Sequence, residues 1–185
     1  MTLTPWRRMI ALVLVLWGIE GINIILAHSL NYLGLIPRTP VGLLGIFTAP
    51  FLHGNIWHLL NNTVPFVILG AFVGYIGKDT WWRTTIFIVL VGGALTWIFG
   101  RKASHVGASG LIFGWWAFLL SYGFYHRSLK SIVIAFATLF LYGGLAWGLI
   151  HLQKTISVES HIFGALAGFL SARLQARKKQ PSAPT

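Results

Sequence analysis

Gly107-Ala108-Ser109-Gly110-Leu111-Ile112-Phe113-Gly114-Trp115-Trp116-Ala117-Phe118-Leu119-Leu120-Ser121-Tyr122-Gly123-Phe124-Tyr125 is the stretch that decides the fold. It carries no charge, and Ser109–Tyr125 only just reaches the lower limit of about 17 residues that cross hydrocarbon at about 1.5 Å per residue. A hydroxyl framed by glycines stands where the apolar run begins. A polar group at such a place is costly in lipid and marks a functional position.

Five further apolar stretches flank this one: Met9–Ala27, Ile56–Ile76, Thr84–Phe99, Ile132–Leu149 and His161–Leu174. The last is diluted by His161, Ser171 and Arg173, and with Thr84–Phe99 it is short for a span. The whole chain has 185 residues, 56% hydrophobic and 9% charged, with a mean hydropathy of +0.74. A soluble domain carries far more charge. The reading is an all-α membrane protein, one six-span bundle over residues 1–185, with its core over about 9–174 and a tail over 175–185. No internal repeat of the kind found in many transporters is evident.

An even span number puts both ends on one side, and the basic residues choose the side. Arg7, Arg8, Lys78, Arg83, Arg127, Lys130, Arg173, Arg177, Lys178 and Lys179 fall on the face that carries the termini, ten of the fourteen. Arg38, Arg101, Lys102 and Lys154 lie opposite. By the positive-inside rule both termini are cytoplasmic. The net charge of +11 is thus accounted for by span flanks, since a nucleic-acid patch would not segregate by span parity. Arg7-Arg8 before an apolar run imitates a signal peptide, but the run is long for one and Glu20 and Asn23 interrupt it, so an uncleaved helix is expected. Absence of cysteine excludes disulfides, thiolate metal sites and a cysteine nucleophile. The connection Ser29–Asn55 holds Pro37, Pro40 and Pro50 with apolar Val41–Phe47 between, and is expected to fold partly into the outer leaflet.

Parity also brings the polar residues to one depth. Spans two, four and six run inward from the outer side; His58 and Asn62 sit in the first turns of span two, Ser109 opens span four and His161 opens span six. His58 and Asn62, four apart, share one helix face, with Asn61 turned about 100° aside. Gly107, Gly110 and Gly114 in one helix, and Gly164 and Gly168 in another, allow close backbone packing. Taken alone, a serine between glycines reads as packing, and a lone His58 or Asn62 as an interhelical hydrogen bond. Taken together they read as a nucleophile, Ser109, with a base, His161. The Ser109 backbone N–H, Asn62 and His58 are the available oxyanion donors. Glu159 lies two residues before His161 and is expected to point away, leaving a dyad. His28, His105, His126 and His151 are expected at the interface, and Glu20, with Asn23 on the same helix face, as a buried structural hydrogen-bonding group.

These residues resemble the rhomboid family of intramembrane serine proteases. The family's Gly-x-Ser-x motif matches Gly107-Ala108-Ser109-Gly110, His-x-x-x-x-His-x-x-x-Asn matches His53, His58 and Asn62, and His-x-x-Gly-x-x-x-Gly matches His161, Gly164 and Gly168. The resemblance implies a six-helix core, Ser109 as nucleophile, His161 as base, His58 and Asn62 at the oxyanion, and His53 as structural support. Two departures stand out. Many members carry Trp-Arg in the first loop, and the corresponding stretch near Leu44-Gly45 lacks it. Some have a tyrosine four residues after the serine, where this chain has Phe113.

The expected function is a serine endopeptidase that needs neither cofactor nor metal and cuts in or near transmembrane segments of single-span or polytopic membrane proteins. Its partners are those substrates and the bilayer, not nucleic acid, and its expected location is the bacterial plasma membrane. Residues 150–157 and span five are expected to serve as cap and gate. The alternative is a catalytically inactive relative that binds membrane clients. A histidine-based transporter is disfavoured, because His-x-x-x-x-His is not the His-Glu-x-x-His zinc pattern and no acidic ligand accompanies it.

Overall fold

In the computed structural model of the chain, residues 4–150 and 157–177 are described. The expected tail beyond 177, and His151 and Lys154 within the expected cap loop, lie outside the described residues. Seven α-helices make up most of the described residues. Helix α1 is Pro5–Ile25, started by Thr4, whose hydroxyl accepts the Arg7 amide, and by Pro5 in the first turn. Helix α2 is Pro40–Thr48, capped in the same way by Thr39. Helix α3, Ile56–Ile76, is capped by Asn55, whose side chain accepts from the His58 amide at 2.9 Å. Helix α4 runs over Lys78–Phe99 with one π-turn at Ile88–Gly92, α5 is Ser109–His126, α6 is Leu129–Tyr142 and α7 is Val158–Arg177. Beyond Tyr142, α6 tightens into a 3-10 segment, Gly143–Leu149.

Each of the six apolar stretches coincides with a helix. Four are long and apolar enough to cross a membrane: Pro5–Ile25, Ile56–Ile76, Lys78–Phe99 and Leu129–Leu149. The third begins six residues earlier than Thr84, because Asp79 in the first turn suits the positive end of the helix and extends it to Lys78. Helices α5 and α7 are not among the four. Glycine, serine and tyrosine dilute α5; Glu159, Ser171 and Arg173 dilute α7. These two are central. Trp115 and Phe118 of α5 are fully enclosed, and α5 packs against α7, α6 and α3, while α1 lies outside against α3.

Glycine lets α5 and α7 touch. A Cβ at Gly164 would overlap the Gly110 carbonyl, and one at Gly168 the Gly114 carbonyl. The π-turn of α4 brings Gly92 against Gly164 as well, so three backbones meet at one level.

The connection between α1 and α3 is folded. Helix α2 rests on the extended stretch before it: a Cβ at Gly42 would run into Ile36, and at Gly45 into Leu35. Leu35 exchanges backbone hydrogen bonds with His105 at 3.0 and 2.9 Å. The Arg38 guanidinium donates to the Ile98 carbonyl at 2.7 Å, and the Trp97 indole donates to the Thr39 carbonyl at 2.9 Å. Asn31 joins the loop to α1 and to the chain before α3: it accepts from Asn23 at 3.1 Å and donates to the His53 carbonyl at 3.0 Å. Those bonds hold the first loop without Trp-Arg. Asn23 also accepts the Leu30 amide at 3.1 Å, and Glu20, 1% exposed, pairs with His28 at 3.3 Å. His28 is thereby tied to α1 rather than simply placed at an interface.

Candidate active site

The segment that ends at Ser109 is shaped by Gly107, whose φ of +120° lies in the region that favours glycine. A Cβ there would also come 2.7 Å from the His58 ring. Both conditions require glycine, and together they press the chain before Ser109 against α3. The Gly107 amide donates to the Ala49 carbonyl at 2.9 Å, and the Ala108 amide faces His53 Nε2 at 3.5 Å.

Helix α5 then begins at Ser109, and α7 brings His161 across. Ser109 Oγ and His161 Nε2 are 2.9 Å apart. Phe113, one turn below Ser109, stacks on the imidazole with ring centroids 4.1 Å apart and planes 8° from parallel. The other nitrogen, His161 Nδ1, lies 3.2 Å from the Gly148 carbonyl. A carbonyl only accepts, so Nδ1 carries the proton and Nε2 presents its lone pair to the serine.

His58 and Asn62 stand on the opposite wall. His58 Nδ1 accepts from the Gly54 amide at 3.5 Å, which leaves Nε2 as the N–H of the neutral ring, against Gly107. Asn62 is 6% exposed, and its Nδ2 has no partner among the described residues. That amide lies 3.6 Å from where a Gly107 Cβ would be, so an unpaired donor faces the start of α5. His53 is fully buried and sets the His58 ring by an edge contact at 5.2 Å. Burial and then the neighbouring His58 push the His53 imidazole down to about 4, against the opposing pull of the Phe51 carbonyl. His53 is neutral at physiological pH and packs against the His58 ring.

A cavity of about 510 Å³ opens beside these groups, lined by His58, Asn61, Asn62, Ser109, Phe113 and His161 among others. It is large enough for a stretch of extended peptide and water. Among the described residues, histidine and acidic side chains do not gather in threes as a metal site requires.

The residues expected at the site from their motifs lie close together: Ser109 with His161, Asn62 and His58 against Gly107, His53 beside His58, and the glycines between helices. Three contacts near these residues were not read from the sequence. Gly148 acts through its carbonyl, which leaves no trace in residue type. His105, expected at an interface, is 3% exposed and bonded to Ser157 and to the Arg101 carbonyl. Glu159 pairs with Arg101 at 3.7 Å.

Residues 41–178 match the rhomboid domain. Uncharacterised proteins of Mycobacterium bovis and Mycobacterium tuberculosis are 37% identical to this chain over 171 residues, covering 88% of it and 71% of their own length. A protein of Acanthamoeba polyphaga mimivirus, named as a rhomboid protein, is 32% identical over 127 residues, 65% of this chain and 68% of its own. The rhomboid match takes in everything from His53 to His161, and with four helices of membrane-crossing length and composition the chain is an integral membrane protein that belongs to the rhomboid family.

Proposed function

We propose that this rhomboid protein is a serine endopeptidase that hydrolyses peptide bonds in or near transmembrane segments of other membrane proteins, with Ser109 as nucleophile and His161 as base. The observation that carries this is the 2.9 Å approach of Ser109 Oγ to His161 Nε2, with Nδ1 held on the Gly148 carbonyl. Ser109 Oγ attacks the scissile carbonyl carbon and gives its proton to Nε2. The electron pair displaced onto oxygen is met by donors: the Ser109 N–H at the start of α5, the Asn62 amide and the His58 Nε2–H. As the intermediate collapses, the C–N bond breaks and His161 returns the proton to the leaving amine. Water, deprotonated by His161, then attacks the acyl ester and regenerates Ser109. The same donors serve both halves. His53 and the glycines at 107, 110, 164 and 168 support the geometry.

The six helices other than α2 cross the bilayer in this reading, α5 and α7 being sheltered from lipid by their neighbours, and both termini face the cytoplasm. Mycobacterial relatives favour a bacterial plasma membrane. The substrate must present an unwound stretch, because a peptide bond inside a helix is shielded, so small or helix-weakening residues near the cut are favoured.

The test is cleavage of a single-span substrate by the purified protein in liposomes, with fluorophosphonate labelling alongside. Ser109→Ala is expected to abolish cleavage and labelling together. Cleavage unchanged by Ser109→Ala sinks the assignment; a wild-type protein that neither cleaves nor labels is an inactive client-binding relative.

A further inference from the structure

Two serine–histidine pairs join the same two segments. Ser109 and His161 form one; four residues earlier on each side, His105 and Ser157 form another with the residue types exchanged. His105 lies in the segment that delivers Ser109, and its backbone is pinned to Leu35. Its Nε2 is 3.1 Å from the Arg101 carbonyl, so that nitrogen carries the proton and Nδ1 accepts from the Ser157 hydroxyl.

Ser157 immediately precedes α7, and a serine there ordinarily caps the helix. The capping bond is long, 3.4 Å from the Ser160 amide, and Ser160 Oγ lies 2.6 Å from the Ser157 hydroxyl; with His105 Nδ1 an acceptor, Ser157 accepts from the Ser160 hydroxyl and gives its own proton to a buried imidazole 52 residues away. Capping alone gives no reason to bury an imidazole, which costs desolvation. The Ser157 carbonyl accepts the backbone N–H of His161 at 3.2 Å. A closed ring of bonds results, from Ser109 back along the chain to His105, across to Ser157, up α7 to His161, and back to Ser109. Glycine contacts fix the helix separation on the inner side of the reacting pair, and His105–Ser157 fixes it on the outer side. The nearby Arg101–Glu159 pair is too open to do this, with side chains 38% and 24% exposed.

We propose that His105 is a positioning residue: through Ser157 it holds the amino end of α7 so that His161 Nε2 stays within reach of Ser109 Oγ. The inference rests on the Ser109–His161 assignment above. It gives the segment before the serine a part in setting the base, beyond delivering the nucleophile.

The experiment measures kcat and KM on a transmembrane substrate for H105N, H105Q, S157A and the double substitution H105C/S157C, the last in a chain with no other cysteine. An asparagine oxygen falls near the place of Nδ1 and keeps an acceptor for Ser157; a glutamine amide reaches toward Nε2 and keeps only the Arg101 bond. H105Q and S157A are expected to lower kcat about tenfold or more, as misplacement of a reacting group does, with KM steady. H105N falls less than H105Q, and oxidised H105C/S157C is faster than its reduced form. Thermal midpoints identify any variant that fails to fold, in which case S157A and the redox comparison within one sample decide. Equal loss in H105N and H105Q, wild-type kcat in S157A, or equal rates for oxidised and reduced H105C/S157C overturns the positioning role alone, provided the wild type cleaves. A wild type that neither cleaves nor labels overturns both readings, since a positioning residue then has no reaction to serve.

Discussion

Gly148 stands, through its carbonyl, where a three-membered serine–histidine site would place a carboxylate. A buried carboxylate in a bilayer carries a heavy desolvation cost, whereas a carbonyl directs the imidazole proton to Nδ1 without adding charge. Phe113 completes the restraint by stacking on the ring, which needs the flat face and not a hydroxyl. His53 is the residue whose titration is most exposed to test. Its folded value of about 4 lies below the ordinary 6.5, so the neutral form is favoured in the fold. Nothing is lost above pH 6.5. Below that, the unfolded chain binds a proton the folded one refuses, and stability falls until pH reaches about 4. The full shift is worth about 3 kcal/mol. Thermal midpoints in detergent between pH 7 and 4 should therefore drop less steeply for His53→Asn than for the wild type. Parallel slopes would remove His53 from the account.

Among the elements, the seam between α5 and α7 does the positioning, because Ser109 and His161 meet at one end of it. Its closeness depends on missing side chains at Gly110, Gly164, Gly114 and Gly168. Gly164→Ala forces a methyl onto the Gly110 carbonyl, next to Ser109 and about one turn from His161. Overpacking of this kind costs about 1–3 kcal/mol, and here the helices relieve it by moving apart. The thermal midpoint and the rate of fluorophosphonate labelling should both fall. Gly18→Ala in α1 adds the same methyl where nothing lies within 4 Å and should change neither. Equal labelling in the two variants would mean that the seam does not set the pair. The glycine spacing was legible in the sequence because such packing has a period. The π-turn in α4 was not, since the contact it makes, Gly92 against Gly164, lies across the bundle.

At the scale of the whole molecule, what sequence revealed and what it hid divide along physical lines. Apolar run length located six helices, and parity put His58, Asn62, Ser109 and His161 at one level, where the structure brings them together. Side-chain-to-backbone bonds stayed hidden: those that hold the first loop, and the Gly148 contact to His161, depend on where a carbonyl points. The buried state of His105 was hidden for the same reason, as its partners lie at Leu35, Arg101 and Ser157. The orientation proposed from charge parity makes a claim about every loop at once, and the cysteine-free chain permits a direct test. Single cysteines at the exposed positions Thr4, Tyr32, Asp79 and Lys102 fall after zero, one, two and three crossings. In intact bacteria expressing the protein, a membrane-impermeant maleimide should label Tyr32→Cys and Lys102→Cys, and label Thr4→Cys and Asp79→Cys only after lysis. An inverted pattern would reverse the orientation and put the cavity beside Ser109 on the cytoplasmic side. Equal labelling at positions 79 and 102 would deny that α4 crosses, and with it the six-span count on which the common depth of the polar residues depends.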